Sequence, residues 1–163
     1  MSINAIEAHS RWYEDIAKEI GRLKDWLSQK DYKKYKLDLL LRIAGRVDVF
    51  SAACSECQAF QPEIKRLVQD LNNFAQLPKQ VAKEERKRYF RQISDMVKHL
   101  QKQHKLVTEG YYMGIGIAIG MAVSAGIGTA LGNPGAGTGI GIALGLVIGK
   151  YLDNKAKKEG RVI

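Results

Sequence analysis

The chain has 163 residues, a formal net charge of +9 and 16 glycines. This length allows one modest soluble domain beside any membrane segment. No motif combines a nucleophile, a base and an orienting acid, and no glycine-rich loop follows a predicted strand, so we expect no enzyme activity and no cofactor.

Apolar residues recur at helical spacing through residues 1–109. Breakers divide this region into four predicted helices, with boundaries at Lys30-Asp31, Pro62 and Pro78. The fourth helix meets no strong breaker before Tyr111, so we expect it to run directly into the following segment. One apolar face per helix and short connections predict an antiparallel helical bundle of about four helices in an all-α protein.

Cys54-Ser55-Glu56-Cys57 is the motif whose side chains are the clearest candidates for metal binding or redox chemistry. Two thiols at this spacing can share a metal or cycle as a dithiol. The other ligands of a zinc site would be His99 and His104, but five helical steps place them about 140° apart, so both face one ion only if the helix breaks. A position late in a predicted helix, with no strand nearby, disfavours redox chemistry. We therefore favour reduced cysteines that pack as small apolar residues, and Cys54 and Cys57 remain weak candidates for a metal site.

Basic residues are frequent between Lys79 and Lys105, where acids are few. A solvated helix face is the favoured interpretation, and attraction to anionic lipid headgroups comes second. The headgroup candidates are Arg86, Lys87, Arg88, Lys102, Lys105, Lys150 and Lys155. Nucleic acid is the least favoured partner because no recognised nucleic-acid motif accompanies these charges.

Residues 110–149 contain no charged side chain. About 20 apolar helical residues span the ~30 Å hydrocarbon layer, so this segment is long enough to cross twice. Asn133-Pro134-Gly135 supplies a turn near its middle. Aromatic rings that favour the headgroup layer flank both spans, at Tyr111, Tyr112 and Tyr151. The pattern predicts a transmembrane hairpin over residues 110–152, followed by a basic tail over residues 153–163.

Small residues recur at every fourth position in both spans, an arrangement that lets helix backbones approach closely in lipid. The rows are Gly116, Gly120, Ser124, Gly128 and Gly132 in the first span and Gly137, Gly141, Gly145 and Gly149 in the second. A further row on the first span lies about 200° away; it comprises Gly114, Ala118, Ala122, Gly126 and Ala130. One face can meet the returning helix and the other a second copy, so we expect a homo-oligomer.

Three alternatives compete with an assembling hairpin. The glycines can belong to a generic anchor that only holds the bundle at the membrane. Residues 114–120 and 139–145 also alternate small and large side chains with period two, as a strand pair facing lipid on one side would. Finally, the hairpin can be stored in a soluble bundle before it inserts, as in pore-forming bacteriocins.

The glycine rows and the Asn133-Pro134-Gly135 turn resemble the two-helix glycine-zipper hairpins of many bacterial membrane proteins, over about a quarter of the chain. The resemblance implies helix association, and it covers both plain oligomerising elements and the membrane-active parts of pore-forming toxins. Basic residues on both sides of the hairpin place both termini in the cytoplasm, at the inner membrane. No apolar signal-peptide core opens the chain, so the hairpin is expected to direct insertion.

The leading functional prediction is an integral membrane protein that self-associates through its hairpin, as a membrane scaffold or as a pore-forming, permeabilising effector. Its partners are then the lipid bilayer and further copies of the chain. The alternative is a membrane-anchored sensor or adaptor whose helical bundle binds a cytoplasmic protein partner, or a metal at Cys54 and Cys57.

Overall fold

The computed structural model of the chain describes residues 10–74, 79–130 and 132–163. Seven helices and one isolated bridge, between Val107 and Val162, occur in these ranges. The helices are α1 (Arg11–Trp26), α2 (Gln29–Lys34), α3 (Leu37–Ser51), α4 (Ser55–Phe74), α5 (Lys79–His104), α6 (Tyr111–Ala130) and α7 (Pro134–Lys158). The expected all-α class, a helical bundle followed by two apolar helices, is confirmed.

The chain divides into two compact units, with the boundary between His104 and Lys105. The sequence places this boundary at residue 110, where the run without charged side chains begins, and it also predicts that the fourth helix continues into the first span. That expectation of a continuous helix is wrong: α5 ends at His104, and Lys105 takes a left-handed conformation with φ 56°. The non-helical segment ends at Gly110, whose φ is also positive.

The helix boundaries before residue 105 also differ from those predicted. The break predicted at Pro62 falls instead at residues 52–54, between α3 and α4, and Pro62 lies inside α4. Proline removes one helical hydrogen bond at a cost of about 3 kcal/mol. Buried apolar side chains on both sides of Pro62 offset that cost, since each contributes about 1.5–3 kcal/mol when fully buried. Cys57 and Ile64 are two of them, and both are fully buried.

The core of the first unit takes one apolar face from each of its four longer helices. Its members include Ile16, Ile20, Leu23, Leu37, Leu40, Ile43, Val47, Ile64, Leu67, Val68, Leu71, Tyr89, Ile93, Met96 and Leu100. The Tyr89 hydroxyl is satisfied in this core, where it donates to the Tyr35 carbonyl at 2.8 Å. Ser10 caps α1 and donates from its backbone N–H to the Asp48 carboxylate at 2.8 Å, which ties the start of α1 to α3.

Candidate functional site

The second unit contains a hairpin of α6 and α7, closed at one end by a tight turn. Gly132, with φ 62°, donates to the Thr129 carbonyl at 3.2 Å, and Asn133 N–H donates to the Gly128 carbonyl at 3.0 Å. This is the Schellman pattern, which favours glycine at the left-handed position. Asn133 Oδ1 then accepts from Ala136 N–H at 3.1 Å and caps α7. Gly132, which the sequence assigns to a packing row, therefore belongs to the turn.

The remaining small residues of the first row face those of α7 at backbone contact distance. A Cβ at Gly145 would lie 2.7 Å from the carbonyl carbon of Gly116, and a Cβ at Gly149 would lie 2.6 Å from Met113 Cα. Real Cβ atoms essentially never approach other atoms closer than 3.0 Å. The residues at this interface are Gly116, Gly120, Ser124, Gly128, Gly137, Gly141, Gly145 and Gly149. Side chains larger than hydrogen are thus excluded from nearly the whole contact.

The second row of small residues on α6 faces away from α7. Gly114, Ala118, Ala122, Gly126 and Ala130 are all exposed. A Cβ built at Gly114 or Gly126 meets no atom within 4 Å. The hairpin therefore uses one small face of α6 and leaves the other open.

Large apolar side chains cover the outside of the hairpin. Ile119 is 59% exposed and Val147 is 68% exposed. The most apolar stretches of α6 and α7 are only 17% and 22% buried, whereas the core helix of a soluble protein is mostly buried. Both helices are long and apolar enough to cross a membrane.

The open end of the hairpin is held by a carboxylate. Asp153 on α7 accepts from Tyr112 N–H through Oδ1 at 3.0 Å and from Met113 N–H through Oδ2 at 2.9 Å. A negative charge at this position also complements the positive end of the α6 dipole. The sequence places Asp153 in a tail that begins after residue 152, but α7 continues to Lys158 and carries Asp153 back to the start of α6.

The first unit contains a second candidate site, a cluster of two cysteines and two histidines. His99 Nε2 lies 3.4 Å from Cys54 Sγ and 3.5 Å from Cys57 Sγ, and His104 Nε2 lies 3.3 Å from Cys57 Sγ. All four of these donor atoms lie within 4.8 Å of one another. They come from only two places in the chain, the start of α4 and the end of α5.

Two sequence expectations fail at this cluster. The cysteines do not lie late in a helix: Cys54 precedes α4, and Cys57 lies in its first turn. The histidine rings do not point apart either, since their centroids are 5.3 Å from each other. His104 is the last residue of α5, and Lys105 has a left-handed conformation, so the helix does not continue beyond this ring.

Neighbouring side chains fix both imidazoles. Phe50 stacks on the His104 ring at a centroid distance of 3.9 Å, and Phe60 meets the His99 ring edge to face at 5.3 Å. Glu56 Oε2 lies 2.9 Å from His99 Nδ1. This contact assigns the ring hydrogen to Nδ1, so that the lone pair of Nε2 faces the sulfur atoms.

Burial favours the uncharged forms of Cys57 and His104. It raises the pKa of the Cys57 thiol to about 12, and the neighbouring Cys54 adds to the effect. Burial also lowers the pKa of His104, with a further contribution from the nearby His99. Near neutral pH, Cys57 is therefore a thiol and His104 a neutral imidazole.

The basic residues do not form one patch on α5. Arg86, Lys87 and Arg88 lie about 21–24 Å along the helix axis from Lys102, at 1.5 Å per residue. Lys87 forms an exposed ion pair with Glu84 at 2.9 Å. In the second unit Lys105 is exposed, as are Lys150 and Lys155 on the last turns of α7.

No protein-family model, curated protein or solved structure matches this chain.

Proposed function

We propose that the protein is an integral membrane protein whose α6–α7 hairpin crosses the bilayer and associates with the hairpins of other copies, as a membrane scaffold. The observation that carries this proposal is the pair of small faces on α6, one packed against α7 and one open. In lipid, close packing of small residues drives helix association. The open face is therefore a packing surface of the same kind as the one that already holds the hairpin together.

The surface chemistry of the hairpin supports insertion. Ile119, Val123, Leu144 and Val147 are each more than half exposed, and lipid chains solvate such side chains where water does not. The backbone groups of both helices are paired within the helices, which the bilayer requires. We propose that both termini lie in the cytoplasm and the Asn133 turn on the opposite side of the inner membrane. Basic residues before α6 and after the apolar part of α7 support this orientation.

Contact between α6 helices of two copies is the simplest form of this assembly. The same face then serves both partners, which closes a symmetric pair. Gly126 and Ala122 lie near the middle of this face and would allow the closest approach.

The polar groups of the spans favour a scaffold over a water-filled pore. The Ser124 hydroxyl donates to the Met121 carbonyl at 2.6 Å, and the Thr129 hydroxyl donates to the Ala125 carbonyl at 2.8 Å. Both hydroxyls are thus satisfied within their own helix. No polar row lines the exposed faces of the described spans, and an aqueous channel needs such a lining.

The test is the oligomeric mass of the full-length protein in mild detergent, measured by light scattering after gel filtration. Gly126→Ile places a branched side chain on the open face and should reduce the mass to that of a monomer. Gly139→Ile is the matched control, since Gly139 on α7 is also exposed with no atom within 4 Å of a built Cβ. Equal masses for wild type and Gly126→Ile would refute assembly through this face.

Dye-loaded vesicles separate the scaffold from a permeabilising effector. A scaffold inserts without release of the dye. Release that depends on protein concentration and is lost in Gly126→Ile would instead identify the assembled hairpins as a pore.

A membrane-anchored sensor or adaptor is the second candidate function. The cluster of Cys54, Cys57, His99 and His104, called the Cys–His cluster below, favours it, because the cluster gives the first unit a binding site of its own. In that case the hairpin is a monomeric anchor and the bundle binds a cytoplasmic protein partner. A monomeric wild-type mass in mild detergent would favour this second function.

A further inference from the structure

The Cys–His cluster groups four potential metal ligands, and membrane insertion of the hairpin does not involve them. Its four donor atoms converge from two segments that are far apart in sequence, since Cys57 and His99 are 42 positions apart. We propose that Cys54, Cys57, His99 and His104 bind one zinc ion in a closed tetrahedral site. The proposal is independent of the function assigned to the hairpin.

The distances fit a single tetrahedral ion. Zinc lies about 2.3 Å from thiolate sulfur and about 2.0–2.1 Å from imidazole nitrogen, so a tetrahedral site separates sulfur from nitrogen by about 3.6 Å. Three of the four sulfur to nitrogen distances are 3.4, 3.5 and 3.3 Å, and all four donor atoms lie within 4.8 Å of one another. These three distances lie within about 0.3 Å of the separation in a tetrahedral zinc site.

The donor set selects the metal. Two sulfur and two nitrogen ligands in tetrahedral arrangement are typical of structural zinc. A cluster of several irons would hold its protein ligands farther apart than the 4.8 Å that bounds this group. Four protein ligands also leave no open position for a substrate or an activated water, so the site is structural and not catalytic.

Glu56 supplies the outer contact that metal-binding histidines ordinarily make. Its carboxylate accepts the Nδ1 hydrogen of His99 at 2.9 Å, which orients the ring and directs Nε2 toward the ion. Because Glu56 lies between the two cysteines in sequence, one short segment provides two ligands and the orientation of a third. Phe50 and Phe60 pack on the two imidazoles and reduce access of water.

The charge and proton balance of binding is simple. Two thiols lose their protons to solvent and bind Zn²⁺ as thiolates, while the two histidines bind as neutral imidazoles. The resulting site has no net charge, which suits a group that includes the buried Cys57 and His99. No electron is transferred.

Zinc at this position would join the start of α4 to the last residue of α5. It closes a long loop of the chain, and in structural sites the free energy of metal binding adds to the free energy of folding. His104 is also the last residue before the boundary between the two compact units. The metal therefore fixes the end of the bundle from which the second unit continues.

The first experiment uses wild-type full-length protein in mild detergent. Elemental analysis should find one zinc per chain, and replacement by Co²⁺ should give the intense visible bands of tetrahedral cobalt with a thiolate charge-transfer band. Removal of the metal by a chelator should lower the melting temperature of the bundle, and one equivalent of Zn²⁺ should restore it. Protein without zinc that also gives no tetrahedral cobalt spectrum would overturn the proposal, whatever the state of the hairpin.

Variants then identify the ligands. Cys57→Ser and His104→Ala should each lose the tetrahedral cobalt spectrum, and retention of the wild-type spectrum by either would refute the four-ligand site. Glu56→Gln should keep the spectrum but weaken zinc binding by about 10–100-fold, because Glu56 only positions His99. Unchanged affinity in Glu56→Gln would refute that positioning role. The matched controls are the exposed neighbours Gln58→Ala and Gln103→Ala, which should bind as wild type does.

Discussion

Replacement of Gly145 by alanine tests whether contact between backbones stabilises the hairpin. A Cβ at Gly145 would lie 2.7 Å from the carbonyl carbon of Gly116, whereas ordinary van der Waals contact begins at 3.4 Å. The Gly116 carbonyl oxygen lies nearer still, so the helices must move apart by at least about 0.7 Å. A gap of about 0.5–1 Å already removes about a quarter to a half of the dispersion attraction of each facing atom pair. Overpacking of this kind costs about 1–3 kcal/mol.

Gly139→Ala is the matched control for this substitution. It makes the same chemical change in the same helix, but its Cβ meets no atom within 4 Å. Alanine is favoured over glycine in a helix by about 1 kcal/mol, and both variants share that gain. The difference in free energy of unfolding between the two variants therefore isolates the steric cost, expected at about 1–3 kcal/mol.

Unfolding of the hairpin can be followed by energy transfer between two fluorophores during titration of mixed micelles with sodium dodecyl sulfate. Tyr111→Cys and Asn154→Cys provide exposed labelling sites, one on each helix, in a background with both native cysteines replaced by serine. Gly145→Ala should separate the fluorophores at a lower detergent fraction than Gly139→Ala. Coincident transitions would refute the argument that contact between glycine backbones stabilises this pair.

Three further predictions concern single polar groups. Asp153→Ala should destabilise the hairpin by about 0.5–2 kcal/mol in the same titration, because two N–H groups of α6 lose their acceptor; an unchanged midpoint would show that solvent replaces the carboxylate. Tyr89→Phe should lower the free energy of unfolding of the bundle in urea by about 1 kcal/mol through loss of the bond to the Tyr35 carbonyl, and a more stable variant would contradict this. Burial, with a smaller contribution from the hydrogen bond to Asp38, raises the pKa of Tyr32 from 10.0 to about 12. The neutral phenol is thus favoured in the fold, so its stabilisation is complete below pH 10 and is lost toward pH 12; phenolate absorbance measured against Tyr32→Phe should show the raised midpoint, and a midpoint near 10 would contradict it.

The fold class and the rows of small residues in the hairpin could be predicted because they follow from spacing alone. Small residues at every fourth position lie on one helix face in any regular helix, and Asn133-Pro134-Gly135 contains the residues that a helix start requires. The spacing did not distinguish which row of α6 meets α7, since both rows have the same period. It also could not show that Gly132 ends the helix, because a glycine in a packing row and a glycine in a Schellman motif are identical in sequence.

The Cys–His cluster could not be predicted for a related reason. Its geometry depends on where α4 begins and α5 ends, and tertiary packing decides both. Pro62 is the stronger breaker on local grounds, yet the helix continues through it because the surrounding apolar face is buried. Lys105 in a left-handed conformation gives no signal in the sequence, since lysine rarely adopts it. The sequence offers one signal of a metal site, the short spacings from Cys54 to Cys57 and from His99 to His104. Helical periodicity argues against it, because it places the two histidines about 140° apart.

The carboxylate of Asp153 has a consequence for biosynthesis. It accepts from a backbone group 40 positions earlier in the chain, so the start of α6 is made long before its acceptor. A ribosome that has completed only α6 presents the insertion machinery with a glycine-rich helix that lacks both its packing partner and its N-terminal acceptor. On the proposed topology, the contact between the two spans and the hydrogen bonds to Asp153 can therefore form only after synthesis has passed residue 153.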